Sequence, residues 1–171
     1  MRVGLVGNGK MGRMIDALCA QTEDWQVAGL VGPGAFETLD EMGDLDVAID
    51  FSYPGNLSML LDTAARRRLP LVIGTTGLTA QQGEAIRAAS AQAPIVWANN
   101  FSTGVTVLRR LARQAAEALG GEFDIEIVET HHNQKEYAPS GTAKMLLEAV
   151  DPRGEYALVY GREGRPGKRG H

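Results

Sequence analysis

Along the first hundred residues, short apolar runs closed by turn residues alternate with longer stretches of helical period. Val3 to Val6, Gln26 to Val31, Val47 to Asp50, Leu71 to Gly74 and Ile95 to Ala98 read as buried strands. Between them, Met11, Met14, Ile15, Leu18 and Cys19 recur at helical spacing, as do Leu57, Leu60, Leu61 and Ala64, and then Ile86 and Ala89. Strands that alternate with amphipathic helices predict parallel strands joined by right-handed crossovers. The connection from Val31 to Val47 is too rich in Gly and Pro for a helix. The expected fold class is α/β: a Rossmann-type parallel sheet over residues 1–100, followed by a smaller α+β substrate-binding domain over 101–171.

After about residue 100 the pattern changes. Val105 to Leu119 keeps helical period and stops at Gly120-Gly121. Phe123, Ile125 and Ile127 alternate with Asp124 and Glu126, which predicts a half-exposed strand over 123–128. Gly141 to Val150 predicts a helix and Tyr156 to Tyr160 a further strand. Two strands make a poor sheet by themselves, so the second domain is expected to be either very small or incomplete in this chain.

Composition narrows the class. The chain has 171 residues, 44% of them apolar, enough to bury a core. With 17 basic and 21 acidic residues the net charge is −4, which argues against nucleic acid or a membrane surface as the main partner. Cys19 is the only cysteine, so no intrachain disulfide and no multi-thiolate zinc site can form. That usage, with no apolar run of membrane-spanning length and no apolar leader, points to the cytoplasm.

Two segments carry candidate chemistry. Gly7-Asn8-Gly9-Lys10-Met11-Gly12 fits G-x-G-x-x-G between a predicted strand and a predicted helix. Such a turn lets backbone approach a pyrophosphate, which then sits on free amides at the positive end of the helix. An acid that would read the adenine ribose, about 20 residues on, is absent: the second strand ends Leu30-Val31-Gly32-Pro33. Lys10 is either a phosphate contact or a solvated loop lysine, and NADH and NADPH both stay open. Gly74, Thr75 and Thr76 follow the fourth strand, and Ala98, Asn99, Asn100 and Phe101 follow the fifth. Both loops would lie at strand carboxyl ends, where open α/β sheets bind ligands.

The second segment, Glu129 to Ala143, reads ETHHNQKEYAPSGTA. It holds His131, His132 and Lys135, then Ser140-Gly141-Thr142 at a predicted helix start. Hydride addition to an unsaturated acid needs a proton donor, a cation for carboxylates and a rigid turn. Histidine titrates near neutrality, and hydroxyls with free amides at a helix start hold anions. The plainer possibility is that Ser140 simply caps the helix. No metal is expected, because adjacent imidazoles diverge and no carboxylate completes a ligand set.

Taken together, VGNGKMGRMI, DFSYPGN, VIGTTGL, ANNFSTGV, DIEIVETHHNQK and APSGTA resemble the dihydrodipicolinate reductase family along the whole chain. The resemblance implies an NADH- or NADPH-dependent reduction of 4-hydroxy-tetrahydrodipicolinate to tetrahydrodipicolinate in lysine and diaminopimelate biosynthesis, by an enzyme that is usually a homotetramer. By position it implies that His131 and Lys135 handle protons and that His132, Gly141 and Thr142, beside Ser140, hold the substrate carboxylates. It implies cofactor contacts from Gly7 to Gly12, Gly74 to Thr76 and Ala98 to Phe101. The family pattern K-x-D-A-P-S-G-T has an aspartate where this chain has Tyr137, and the family continues beyond the length of this chain. Two other classes fit the same residues: a different Rossmann reductase of imines or hydroxy acids, and a non-catalytic nucleotide-binding module.

Overall fold

The computed structural model describes residues 1–133 and 138–161. The chain divides into two compact units, Met1–Asn99 and Asn100–His171.

The first unit alternates strand and helix: β1 (Arg2–Val6), α1 (Lys10–Ala20), β2 (Gln26–Val31), β3 (Val47–Asp50), α2 (Leu57–Arg67), β4 (Leu71–Ile73), α3 (Ala80–Ala89) and β5 (Ile95–Trp97). All four strand pairings are parallel, in the order β2-β1-β3-β4-β5. The chain therefore leaves β1 toward one edge and returns to β3 on its other side. That reversal opens a crevice above the carboxyl ends of β1 and β3.

The period-2 pattern of the strands divides the core between two faces. Val3 and Leu5 of β1 pack with Cys19 and the half-buried Ile15 of α1. Val6, Ala48, Leu71 and Ile73 face the other way, against Leu57, Leu60 and Leu61 of α2 and Ile86 of α3. Leu5, Leu60 and Ile73 are completely buried, each side chain contributing about 2 kcal/mol by removal from water. The helical stripe of α1 is only partly used, since Met11, Met14 and Leu18 stay exposed. The Gly/Pro-rich connection before β3 forms only a 3-10 turn, Leu39–Met42. Arg66 and Arg67 tie it to α2: Arg66 bonds the Asp40 carboxylate at 2.6 Å, and Arg67 donates to the Leu39 carbonyl at 3.3 Å.

The second unit contains α4 (Thr103–Leu119) and α5 (Gly141–Val150), which pack against each other. Ser102 caps α4, its hydroxyl accepting the Val105 N–H at 3.3 Å. The two strands expected here do not form among the described residues. Phe123 has extended angles and Phe123, Ile125 and Ile127 are exposed, yet no ladder joins 123–128 to another segment. The stretch after Asp151 is held instead by that residue's carboxylate, which accepts the Glu155 and Tyr156 N–H groups at 2.9 and 3.0 Å. Alternation supplies a strand's side-chain pattern, but a strand also needs a neighbour for its backbone groups.

Candidate active site

In the first unit the predicted cradle has the geometry its glycines suggest. Gly7 closes β1 with φ +101°, and a Cβ there would lie 2.5 Å from the Phe51 carbonyl oxygen. A Cβ on Gly12 would lie 1.9 Å from the Gly7 carbonyl oxygen, so the start of α1 presses directly on the loop. Gly9 differs: it caps α1 without a side chain, and nothing lies within 4 Å of where its Cβ would be. The first intrahelical bond runs from Arg13 N–H to the Gly9 carbonyl. The amides of Lys10, Met11 and Gly12 thus precede the helical ladder. No acidic residue stands in this turn. Open space beside Gly9, above unengaged amides at a helix start, fits the pyrophosphate of a dinucleotide. Asn8, Lys10 and Met11 are exposed around it.

The loop after β4 separates its two threonines. Thr76 is exposed, whereas Thr75 is buried, with 3% of its surface accessible. Thr75 belongs to a network centred on Asp50, which ends β3 and is 2% exposed. The Ser52 N–H donates to Asp50 Oδ1 at 3.1 Å and to Thr75 Oγ1 at 2.9 Å. The Ser52 hydroxyl donates to Asp50 Oδ1 at 2.5 Å and accepts from Asn56 Nδ2 at 3.0 Å. Burial pushes that carboxyl above the ordinary carboxylate range, and the neighbouring Ser52 and Thr75 hydroxyls pull it part of the way back. Sequence reasoning missed Asp50 and Ser52. Their one signal was an acid closing an otherwise apolar strand, with a hydroxyl two residues on. Beside them, the Phe51 ring lies over Gly74, where a Cβ would meet it at 2.3 Å. Beyond β5, Ala98 is half-buried and Asn99 exposed.

In the second unit, Ser140 is buried and fully engaged. Its hydroxyl accepts the Ala143 N–H at 3.0 Å, and its own N–H donates to Glu129 Oε1 at 2.9 Å. The predicted hydroxyl ligand is thus the helix cap. What it leaves for an anion is the pair of amides at Gly141 and Thr142, ahead of the Lys144 N–H to Ser140 carbonyl bond. The Thr142 hydroxyl accepts from Asn100 Nδ2 at 3.4 Å, and Asn100 Oδ1 accepts the Ser102 N–H at 2.7 Å. Phe101, between them, is exposed.

The second oxygen of Glu129 lies 3.7 Å from His131 Nδ1. One carboxylate therefore holds the start of α5 and stands beside His131, a place the sequence reading did not give it. His131 and His132 are both exposed. Lys135 and Tyr137 lie outside the described residues. No group of three or more His, Cys, Asp or Glu side chains suited to a metal occurs among the described residues.

A doubly wound parallel sheet with a glycine cradle at its switch point defines the first unit as a Rossmann-type domain. Comparison with known proteins extends this to the whole chain. The family model described as dihydrodipicolinate reductase, N-terminus, matches residues 1–101, and the one described as its C-terminus matches 104–171. This chain belongs to the dihydrodipicolinate reductase family. The 4-hydroxy-tetrahydrodipicolinate reductase of Akkermansia muciniphila is 44% identical over 166 residues, covering 95% of this chain and 67% of the relative. That of Campylobacter lari is 41% identical over 174 residues, covering 99% of this chain and 71% of the relative. The fold is shared with a dipicolinate-bound dihydrodipicolinate reductase from Paenisporosarcina sp. TG-14, with a TM-score of 0.71 at 24% identity over 98% of this chain and 72% of that one. No helix among the described residues is long and apolar enough to cross a membrane.

Proposed function

We propose that this chain carries out the reaction for which its relatives are named, reducing 4-hydroxy-tetrahydrodipicolinate to tetrahydrodipicolinate with loss of water. The observation that carries the reading is the pairing of Glu129 with both His131 and the capped start of α5. It sets a titratable imidazole and an anion-binding helix terminus on one short segment. NADH or NADPH, when bound, supplies the hydride. The amides at the start of α1 hold its pyrophosphate, and the Gly74–Thr76 and Ala98–Phe101 loops border it. The Gly141 and Thr142 amides, with His132, hold a substrate carboxylate. Loss of water leaves a carbon–carbon double bond conjugated with the ring imine; the hydride adds to one of its carbons, and Glu129 orients His131 to donate a proton to the other, with Lys135 as the second donor. β2 ends in a Gly32-Pro33-Gly34 turn closed by the Gly32 N–H to Phe36 carbonyl bond. No carboxylate there would repel a ribose phosphate, which supports use of either cofactor.

The substrate is thus a small dicarboxylate, nucleic acid and membrane are not partners, and the expected setting is a cytoplasmic homo-oligomer. The test is an assay of this chain with freshly generated substrate and each reduced nicotinamide in turn. Turnover with at least one of them is expected. Cofactor binding without turnover would leave a nucleotide-binding module instead.

A further inference from the structure

A carboxyl group is costly to bury, and a fold retains one only where several donors satisfy it. Asp50 is buried at the ligand end of the sheet, above the β1–β3 crevice. Its donors are the amide and hydroxyl of Ser52, after β3, and the same amide reaches Thr75 Oγ1, after β4, at 2.9 Å. The loop after β1 rests on the same segment. A Cβ on Gly7 would meet the Phe51 carbonyl oxygen at 2.5 Å and the Ser52 Cα at 3.0 Å. The hydroxyl of Thr75 is turned into the network, accepting the Ser52 N–H at 2.9 Å. Thr76, next along, is exposed.

We infer that Asp50 is a positioning residue for the cofactor, locking Ser52 and Thr75 together so that the loop after β4 presents Thr76 and its backbone to the nicotinamide end. This rests on the dinucleotide reading of the first unit. Thr75 is then a latch rather than a ligand, and its hydroxyl matters through Ser52, which Asp50 holds. The adenosine end of the cofactor, toward β2, lies away from this network. Loosening the latch should therefore weaken the nicotinamide end selectively.

The test compares Asp50→Asn, Thr75→Val and Thr75→Ser with the unaltered chain in titrations with NADH, NADPH and ADP-ribose, which lacks the nicotinamide. Asp50→Asn and Thr75→Val should each raise the Kd for the reduced cofactors at least tenfold and leave that for ADP-ribose within twofold. Thr75→Ser, which keeps the hydroxyl, should restore near-normal binding. Three results overturn the inference: reduced-cofactor binding unchanged in both variants, equal losses for NADH and ADP-ribose, or loss of the folded circular dichroism spectrum in both. If the unaltered chain binds neither NADH nor NADPH, the dinucleotide reading itself fails and the inference goes with it.

Discussion

The glycine cradle allows a sharp test, because two of its glycines do opposite things in the same turn. At Gly12 an added methyl would sit 1.9 Å from the Gly7 carbonyl oxygen, far inside ordinary contact, which begins at 3.4 Å. The oxygen cannot swing aside like a side-chain tip. It belongs to a backbone at φ +101° that is wedged against Phe51. Gly12→Ala must therefore shift α1 from the sheet or distort the loop, and overpacking of this kind costs roughly 3 kcal/mol. At a urea slope of about 2 kcal/mol per molar, the unfolding midpoint should fall by about 1.5 M. Gly9 has ordinary negative φ, −78°, and open space around its Cβ position. Gly9→Ala replaces a tolerated cap by a poor one, which costs roughly 0.5–1 kcal/mol and moves the midpoint by less than about 0.5 M. Its methyl would stand where the pyrophosphate must touch backbone, so NADH affinity should fall at least tenfold, about 1.4 kcal/mol. Urea unfolding followed by circular dichroism, with fluorescence titration of NADH, separates the two. A Gly9→Ala protein that binds NADH normally would refute the cradle, and a Gly12→Ala protein with an unmoved midpoint would refute the packing argument.

Other expectations concern the second unit and the charged turn. His131→Gln and Lys135→Ala should each lower turnover roughly 10²-fold, the usual scale for a lost proton donor; rates near those of the unaltered chain in both would remove the proposed mechanism. Ser140→Ala deletes the cap of α5 and should cost about 1 kcal/mol while raising KM for the dicarboxylate, measured by urea unfolding and initial rates; an unchanged KM would detach the helix start from substrate binding. The Arg66 hydrogen bond, assisted by Arg67, holds the Asp40 carboxyl below its ordinary range. The unfolded chain then takes up that proton first as pH falls. Asp40 thus stabilises the fold above the ordinary carboxylate pKa, near 4, and this contribution disappears as pH drops through the lower folded value. Asp40→Asn should flatten the acid limb of stability against pH, and an unaltered limb would contradict the assignment.

Much of the first unit was legible because its signals are local. Each strand is one apolar run, and the cradle is three glycines within six residues whose spacing states their geometry. The second unit was harder to read. The alternation of Phe123, Ile125 and Ile127 describes which way side chains point, but no pattern inside that segment names a partner for its backbone, and among the described residues it has none in a ladder. Ser140 shows a different limit. A serine before a helix is equally a cap or a ligand by residue type, and only the bond from Ala143 N–H decides for the cap.

The network at Asp50 was hidden for a further reason, which is also why it is informative. Ser52 and Thr75 are 23 residues apart, and nothing links D-F-S to G-T-T until the strands are aligned. The parallel register sets Asp50 opposite Ile73. Ser52 and Thr75 each lie two residues beyond that pair, so the register itself brings them together. A slip of one residue between β3 and β4 would turn the alternating side chains to the opposite face and part the Ser52 N–H from the Thr75 hydroxyl. The same bonds that join the two loops therefore penalise mispairing of the central strands. If this is correct, Thr75→Val should lower stability as well as cofactor affinity, and by more than an exposed Thr76→Val does.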